Sequence, residues 1–210
     1  MIALTDAFAL FGWALALCAA ALRLQSFWRV RSFWANGLLL AFFILLLIPM
    51  FGAGLPVAAF FRGIGGDLSI TLLVLSSWSL SHRLFDMAAM PKREFNALMV
   101  TLATAALILY PTALGLGNWD GYQLGWGSWW FLSVLLGLCL ASIGLGLRVL
   151  PAMVALAMLA WTLGVLESGN LWDYLMDPWL SAFAAGHVVK QVFIKYAPST
   201  AGRFIKRIFH

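Results

Sequence analysis

Residues 179–194 read WLSAFAAGHVVKQVFI, and whether this stretch crosses a membrane decides the architecture of the chain. It is apolar at both ends but interrupted by His187, Lys190 and Gln191. A helical crossing takes about 20 apolar residues, so length alone does not settle the matter. Charge does. Lys190, Lys195, Arg203, Lys206 and Arg207 lie in the stretch or beyond it. If it fails to cross, all five fall on the outside, against the bias that keeps cations cytoplasmic. If it crosses, they join the other cations, with Lys190 snorkelling to the inner interface.

Six further apolar stretches lie upstream, at about residues 3–22, 36–54, 68–80, 96–116, 131–147 and 152–166. With seven crossings, the N-terminus outside and the C-terminus in the cytoplasm, twelve of the thirteen Lys and Arg residues face inward. Arg62 is then the one external cation. Asp6, Asp67, Asp120, Glu167, Asp173 and Asp177 are external, and Asp86 and Glu94 internal. The expected fold class is all-α: a polytopic inner-membrane bundle of seven transmembrane helices, or six if 179–194 stops short. Residues 1–196 form one transmembrane domain. Residues 197–210 form a basic amphipathic tail, in which RFIKRIFH (203–210) places cations among Phe204, Ile205, Ile208 and Phe209, a pattern that lies on anionic inner-leaflet lipids.

Composition leads to the same class. The chain is 63% hydrophobic and 10% charged, with a mean hydropathy of +0.95. Soluble domains carry about 25% charged residues, so this chain cannot cover a water-facing surface. The net charge of +5 is spread over short loops and the tail, which excludes a folded nucleic-acid-binding surface. Cys18 and Cys139 lie inside apolar runs, away from any disulfide or metal framework. The N-terminus lacks a basic n-region and carries Asp6, so residues 3–22 read as a retained span.

Local signals fill in the connections. Arg23, Arg29 and Arg31 alternate with Phe27, Trp28, Phe33 and Trp34, as a headgroup-level segment does. Residues 55–66 are too short to cross and read as interfacial or re-entrant. Asp67 occupies the N-cap position of the third span, whose Ser69, Thr71, Ser76, Ser77, Ser79 and Ser81 make one face small and polar. Ser133, Gly137 and Ala141 recur every four residues, a spacing that lets helices approach closely in lipid. Asp177-Pro178 reads as N-cap plus first-turn proline.

The candidate binding residues are external: Arg62, Asp67, Asp120, Tyr122, Glu167, Asn170, Trp172, Asp173 and Asp177. Arg62 in the run RGIGGD (62–67) either holds a phosphate or carboxylate in bidentate fashion or pairs with an acid and pins its loop. Asp173 and Asp177 share a helix face if residues 171–178 are helical. Carboxylates so grouped bind cations or raise one another's pKa, or else simply cap helix ends. Trp119-Asp120 and Trp172-Asp173 place aromatics beside acids in both long loops, a combination suited to glycans or headgroups, although interfacial aromatic belts look the same. His82 and His187 sit at different depths, which argues against a haem pair. No cofactor and no metal site are expected.

The Asp173-x-x-x-Asp177 spacing lacks the upstream half of the CDP-alcohol phosphotransferase motif. Nucleophile-elbow, zincin and P-loop signatures are also missing. The expectation is therefore a non-catalytic accessory or subunit protein of the cell envelope, its external acidic and aromatic loops contacting a lipid, glycan or membrane-protein partner. A membrane-embedded transferase or hydrolase acting on a lipid-linked substrate is the first alternative. A transporter or channel is the second.

Overall fold

The computed structural model describes residues 4–27, 33–49, 54–116 and 118–196. Every regular element among these residues is helical. In chain order they are α1 (Leu4–Phe27), α2 (Phe33–Leu47), α3 (Val57–Gly65), α4 (Ile70–Leu84), α5 (Lys92–Ala113), a 3-10 turn (Gly121–Gly125), α6 (Trp129–Gly144), α7 (Val149–Thr162), α8 (Leu171–Leu175) and α9 (Pro178–Tyr196). The segment containing Arg29 and Arg31 and the basic tail 197–210 lie outside the described residues.

Each of the seven apolar stretches holds one helix, but their lengths are unequal. Two are long and apolar enough to cross a membrane, over Thr5–Arg23 and Lys92–Ala113. Asn36–Leu47, Trp129–Gly144 and Val149–Thr162 are apolar but shorter. At about 1.5 Å per residue these three span roughly 18–24 Å. The second stretch ends early, at Leu47 instead of residue 54, because the residue before Pro49 is pushed out of helical backbone.

Helical periodicity builds the main core. Leu98, Met99, Leu102 and Ala106 of α5 face Leu150, Met153, Val154 and Ala157 of α7, with Leu180 and Ala184 of α9 and Leu171 and Tyr174 of α8. These positions recur at three- and four-residue steps, which put them on one face of each helix. A smaller cluster joins α1 to α2 through Ala14, Cys18, Leu22, Leu39 and Leu46. Both cysteines are free thiols. The outward faces are also apolar: Leu38 is 69% exposed, Leu107 75% and Val134 65%.

Two local expectations need correction, and the small-residue face of α6 lies exposed within this chain. Ser133, Gly137 and Ala141 are exposed, with open space beside Gly137. Within this chain α6 is instead buried through Phe131, Leu135 and Ser142. Ser69, not Asp67, caps α4, its hydroxyl accepting from Leu72 N at 3.2 Å. The helix holding Asp173 stops at Leu175, and Met176 is extended. Asp173 and Asp177 therefore share no helix face.

Charges gather at the two ends of the bundle. At the basic pole Arg93 donates to Leu145 O at the end of α6, and Glu94 accepts from the backbone N–H groups of Arg148 and Val149 at the start of α7. An anion at a helix N-terminus and a cation at a C-terminus each complement the helix dipole. Arg23, His82, Arg83 and Lys92 lie toward this pole. The acidic pole, about 33 Å away along the 22-residue α5, gathers Asp6, Arg62, Asp67 and Glu167.

Candidate functional site

Arg62 organises the acidic pole. It sits on α3, a nine-residue helix that packs against α1 and α2. Its Nε donates to Asp67 Oδ1 at 2.8 Å, Nη1 to Asp6 Oδ1 at 2.5 Å and Nη2 to Glu167 Oε1 at 2.5 Å. Each guanidinium nitrogen thus carries one acid, each from a different part of the chain: the start of α1, the α3–α4 loop and the α7–α8 loop. Asp67 Oδ2 also accepts from Glu167 N at 3.2 Å, which ties the two loops directly. The hydrogen bond to Asp6 above all, with Asp67 and Glu167 adding to it, raises the guanidinium pKa further above its ordinary value, so the charge is permanent.

Glycines shape this corner by what they leave room for. A Cβ on Gly65 would stand 2.5 Å from the Trp13 ring and 3.0 Å from Trp179 Nε1. Trp13 in turn donates to Gly66 O at 2.8 Å, and Gly66 adopts a φ of +69°. The space beside Gly65 is therefore filled by two tryptophans, while Gly66 supplies the turn.

Beside the cluster lies a cavity of about 1280 Å³. Asp6, Arg62, Asp67, Glu167, Asp173 and Asp177 line it. These are one cation and five carboxylates. Apolar wall comes from Leu10, Leu47, Leu55, Leu109 and Met176. The space is amphipathic, and its polar part is rich in hydrogen-bond acceptors.

A second polar group also lines the cavity. Asp173 Oδ2 accepts from Tyr122 OH at 2.7 Å and from Ser168 Oγ at 2.5 Å. Burial, with the bond to Asp173 adding to it, pushes the Tyr122 pKa up to about 12. The hydroxyl therefore stays protonated at neutral pH and acts as a donor. Asp177 is 5% exposed and heavily committed. Its Oδ2 accepts from Ser69 N and Ser69 Oγ at 3.0 and 2.6 Å, and its Oδ1 caps α9 through Leu180 N at 2.8 Å.

The sequence-selected residues divide cleanly. Arg62, Asp67, Tyr122, Glu167, Asp173 and Asp177 meet at the cavity. Asp120, Asn170 and Trp172 do not line it; they build the scaffold behind it. Asp120 caps the 3-10 turn through Tyr122 N. Asn170 is fully buried, donates to Tyr122 O and accepts from Trp172 N. Trp172 donates to Gly121 O and lies against the Phe131 ring, 4.3 Å between centroids. Asp6, placed only among the external acids by the sequence, is a full member of the Arg62 cluster. Ser168 and Tyr110, the latter paired with Ser181 Oγ at 3.2 Å, also line the cavity but were not among the sequence-selected residues; a short polar run beside Asn170 was the only signal for Ser168.

The histidines have separate partners. His82 Nδ1 lies 2.5 Å from Met87 O, and His187 Nε2 lies 2.9 Å from Asn96 Oδ1. Among the described residues no group of three or more His, Cys, Asp or Glu side chains is arranged to hold a metal ion. Compared with known protein families, curated proteins and solved structures, the chain matches none.

Proposed function

We propose that this chain is a multi-pass inner-membrane protein of seven crossings, N-terminus outside, acting as a non-catalytic accessory or subunit of the cell envelope. Its extracytoplasmic cavity receives the head of an amphiphile, either a lipid or a lipid-linked glycan. One observation carries the reading: a single cavity joins an apolar wall to five carboxylates, three of which each hold one nitrogen of a single arginine. Carboxylates only accept hydrogen bonds, so the fitting head presents hydroxyl or ammonium donors. The apolar wall suits the first methylenes of a chain.

The membrane reading draws on two long apolar helices and on the many large apolar side chains exposed on the outward faces. A soluble monomer rarely exposes apolar patches beyond a few hundred Å². The shorter crossings are accommodated by local bilayer thinning. The basic tail adds contact with anionic inner-leaflet lipids.

The transferase or hydrolase alternative requires Arg62 to hold a phosphate. Each of its nitrogens already carries a carboxylate, and a phosphate entering this cavity meets net negative charge. The chemistry of the site therefore favours binding over phosphoryl-group transfer.

The test compares three amphiphiles of equal chain length, an alkyl glycoside, an alkylammonium and an alkyl phosphate, by native mass spectrometry of the detergent-purified protein. The glycoside or the ammonium is retained and the phosphate is not. Ala113→Trp, which narrows the cavity from its exposed rim, removes the retention. Equal retention of the phosphate, or retention untouched by Ala113→Trp, contradicts the proposal.

A further inference from the structure

A second groove, of about 290 Å³, opens toward the basic pole between α1, α4 and α9. Ala16, Ala19 and Ala20 of α1 lie at three- and four-residue steps and clear one wall. Leu72, Leu75 and Trp78 of α4, Phe95 of α5 and Leu180 and Phe183 of α9 add further apolar lining. At the end away from Arg23 the groove is bounded by Trp179, which meets Trp13 edge-on at 6.3 Å between centroids. Beyond that pair lies the acidic cavity, so the two spaces are chemically and spatially distinct.

The mouth of the groove is cationic. Arg23 and His82 line it, and both are exposed. Arg23 Cζ stands 4.4 Å from the centroid of the Phe183 ring, which holds the guanidinium at the entrance. The α4–α5 loop is fastened over the same end by Trp78 Nε1 donating to Ala88 O at 3.1 Å and by the His82 contact to Met87 O. That loop contributes Ala89 and Met90 to the lining. The acids of this segment are Asp86, in the loop, and Glu94, committed to the start of α7.

We infer that this groove seats one acyl chain of an anionic phospholipid, its phosphate against Arg23 at the cytoplasmic interface. Two features select that occupant. The groove is mostly apolar, with Ser76 and Ser79 as its uncharged polar lining, so it suits a hydrocarbon chain. Its only charged and titratable lining groups, Arg23 and His82, complement a phosphate, and an arginine fork matches phosphate oxygens in bidentate fashion. A soluble anion would leave the groove unfilled.

The experiment is a competition in nanodiscs made from equal parts phosphatidylglycerol and phosphatidylcholine with matched acyl chains. The full-length protein is released and its retained lipids are counted by native mass spectrometry. Wild type is expected to retain phosphatidylglycerol about fivefold over phosphatidylcholine, the bias one well-placed cation gives near a membrane surface. Arg23→Gln should abolish most of that preference. Ala20→Phe occupies the groove while leaving every charge in place, including those of the basic tail, and should lose the retained lipid of either kind. Should Arg23→Gln not fold, as judged by thermal unfolding, Ala20→Phe decides alone. Equal retention of the two lipids by wild type, or a preference that Ala20→Phe leaves unchanged, overturns the inference.

Discussion

At the residue scale, Gly125 shows how tightly the scaffold behind the cavity is closed. A Cβ there would stand 1.7 Å from Asn170 Oδ1 and 2.7 Å from Trp172. Gly125→Ala must displace the buried asparagine that joins the 3-10 turn to α8. The expected cost is about 1–3 kcal/mol, the range for overpacking a filled site, read as a lowered Tm in detergent. Asn170→Ala should cost about as much, because Tyr122 O and Trp172 N lose their partner together.

Tyr122 carries a pH prediction. Its pKa moves from the ordinary 10.0 to about 12 on folding, so the folded state keeps the proton that the unfolded state releases. The stabilisation is therefore complete below pH 10 and is lost as pH rises toward 12. Unfolding at stepped alkaline pH should show this loss in wild type and a smaller one in Tyr122→Phe.

At the element scale, Arg62 does the work of several helix contacts. It joins α1, α3, the α3–α4 loop and the α7–α8 loop through three charged hydrogen bonds. Arg62→Gln leaves Asp6, Asp67 and Glu167 close together without their shared cation. A loss of about 1.5–3 kcal/mol is expected, the range for a hydrogen bond to a charged group. Glu167→Gln should cost less, since its side chain is 63% exposed and solvent screens that arm. Thermal unfolding of both variants checks the order. If Glu167→Gln proves the more damaging, Arg62 is not the hub.

Much at this scale was legible in the sequence. Seven apolar stretches became seven helices, residues 57–65 formed a short separate helix, and Asp177-Pro178 began α9. These features depend on local periodicity, proline geometry and capping, which operate within a few residues. What was not legible depends on distance along the chain. Asp6 and Glu167 meet at Arg62 across separations of 56 and 105 residues, and no local pattern encodes such a meeting. Asp67 missed its assigned cap because Ser69 was two positions nearer the helix and Arg62 was within reach. The small-residue face of α6 was readable as a pattern, but the side on which it would fall was not.

At the scale of the whole molecule, charged side chains among the described residues gather at two poles. Helices with apolar surfaces on both their inner and outer sides connect them. The acidic pole carries the larger cavity, and the basic pole opens a narrow groove. The proposed function needs these poles on opposite faces of a bilayer, acidic side outward. Substituted-cysteine labelling asks that directly. With Cys18 and Cys139 replaced by alanine, Ser168→Cys reports the acidic pole and Lys92→Cys the basic pole. A membrane-impermeant maleimide applied to intact cells should label Ser168→Cys at once, and Lys92→Cys only after permeabilisation. Labelling of both positions in intact cells, or of Lys92→Cys alone, would contradict the account.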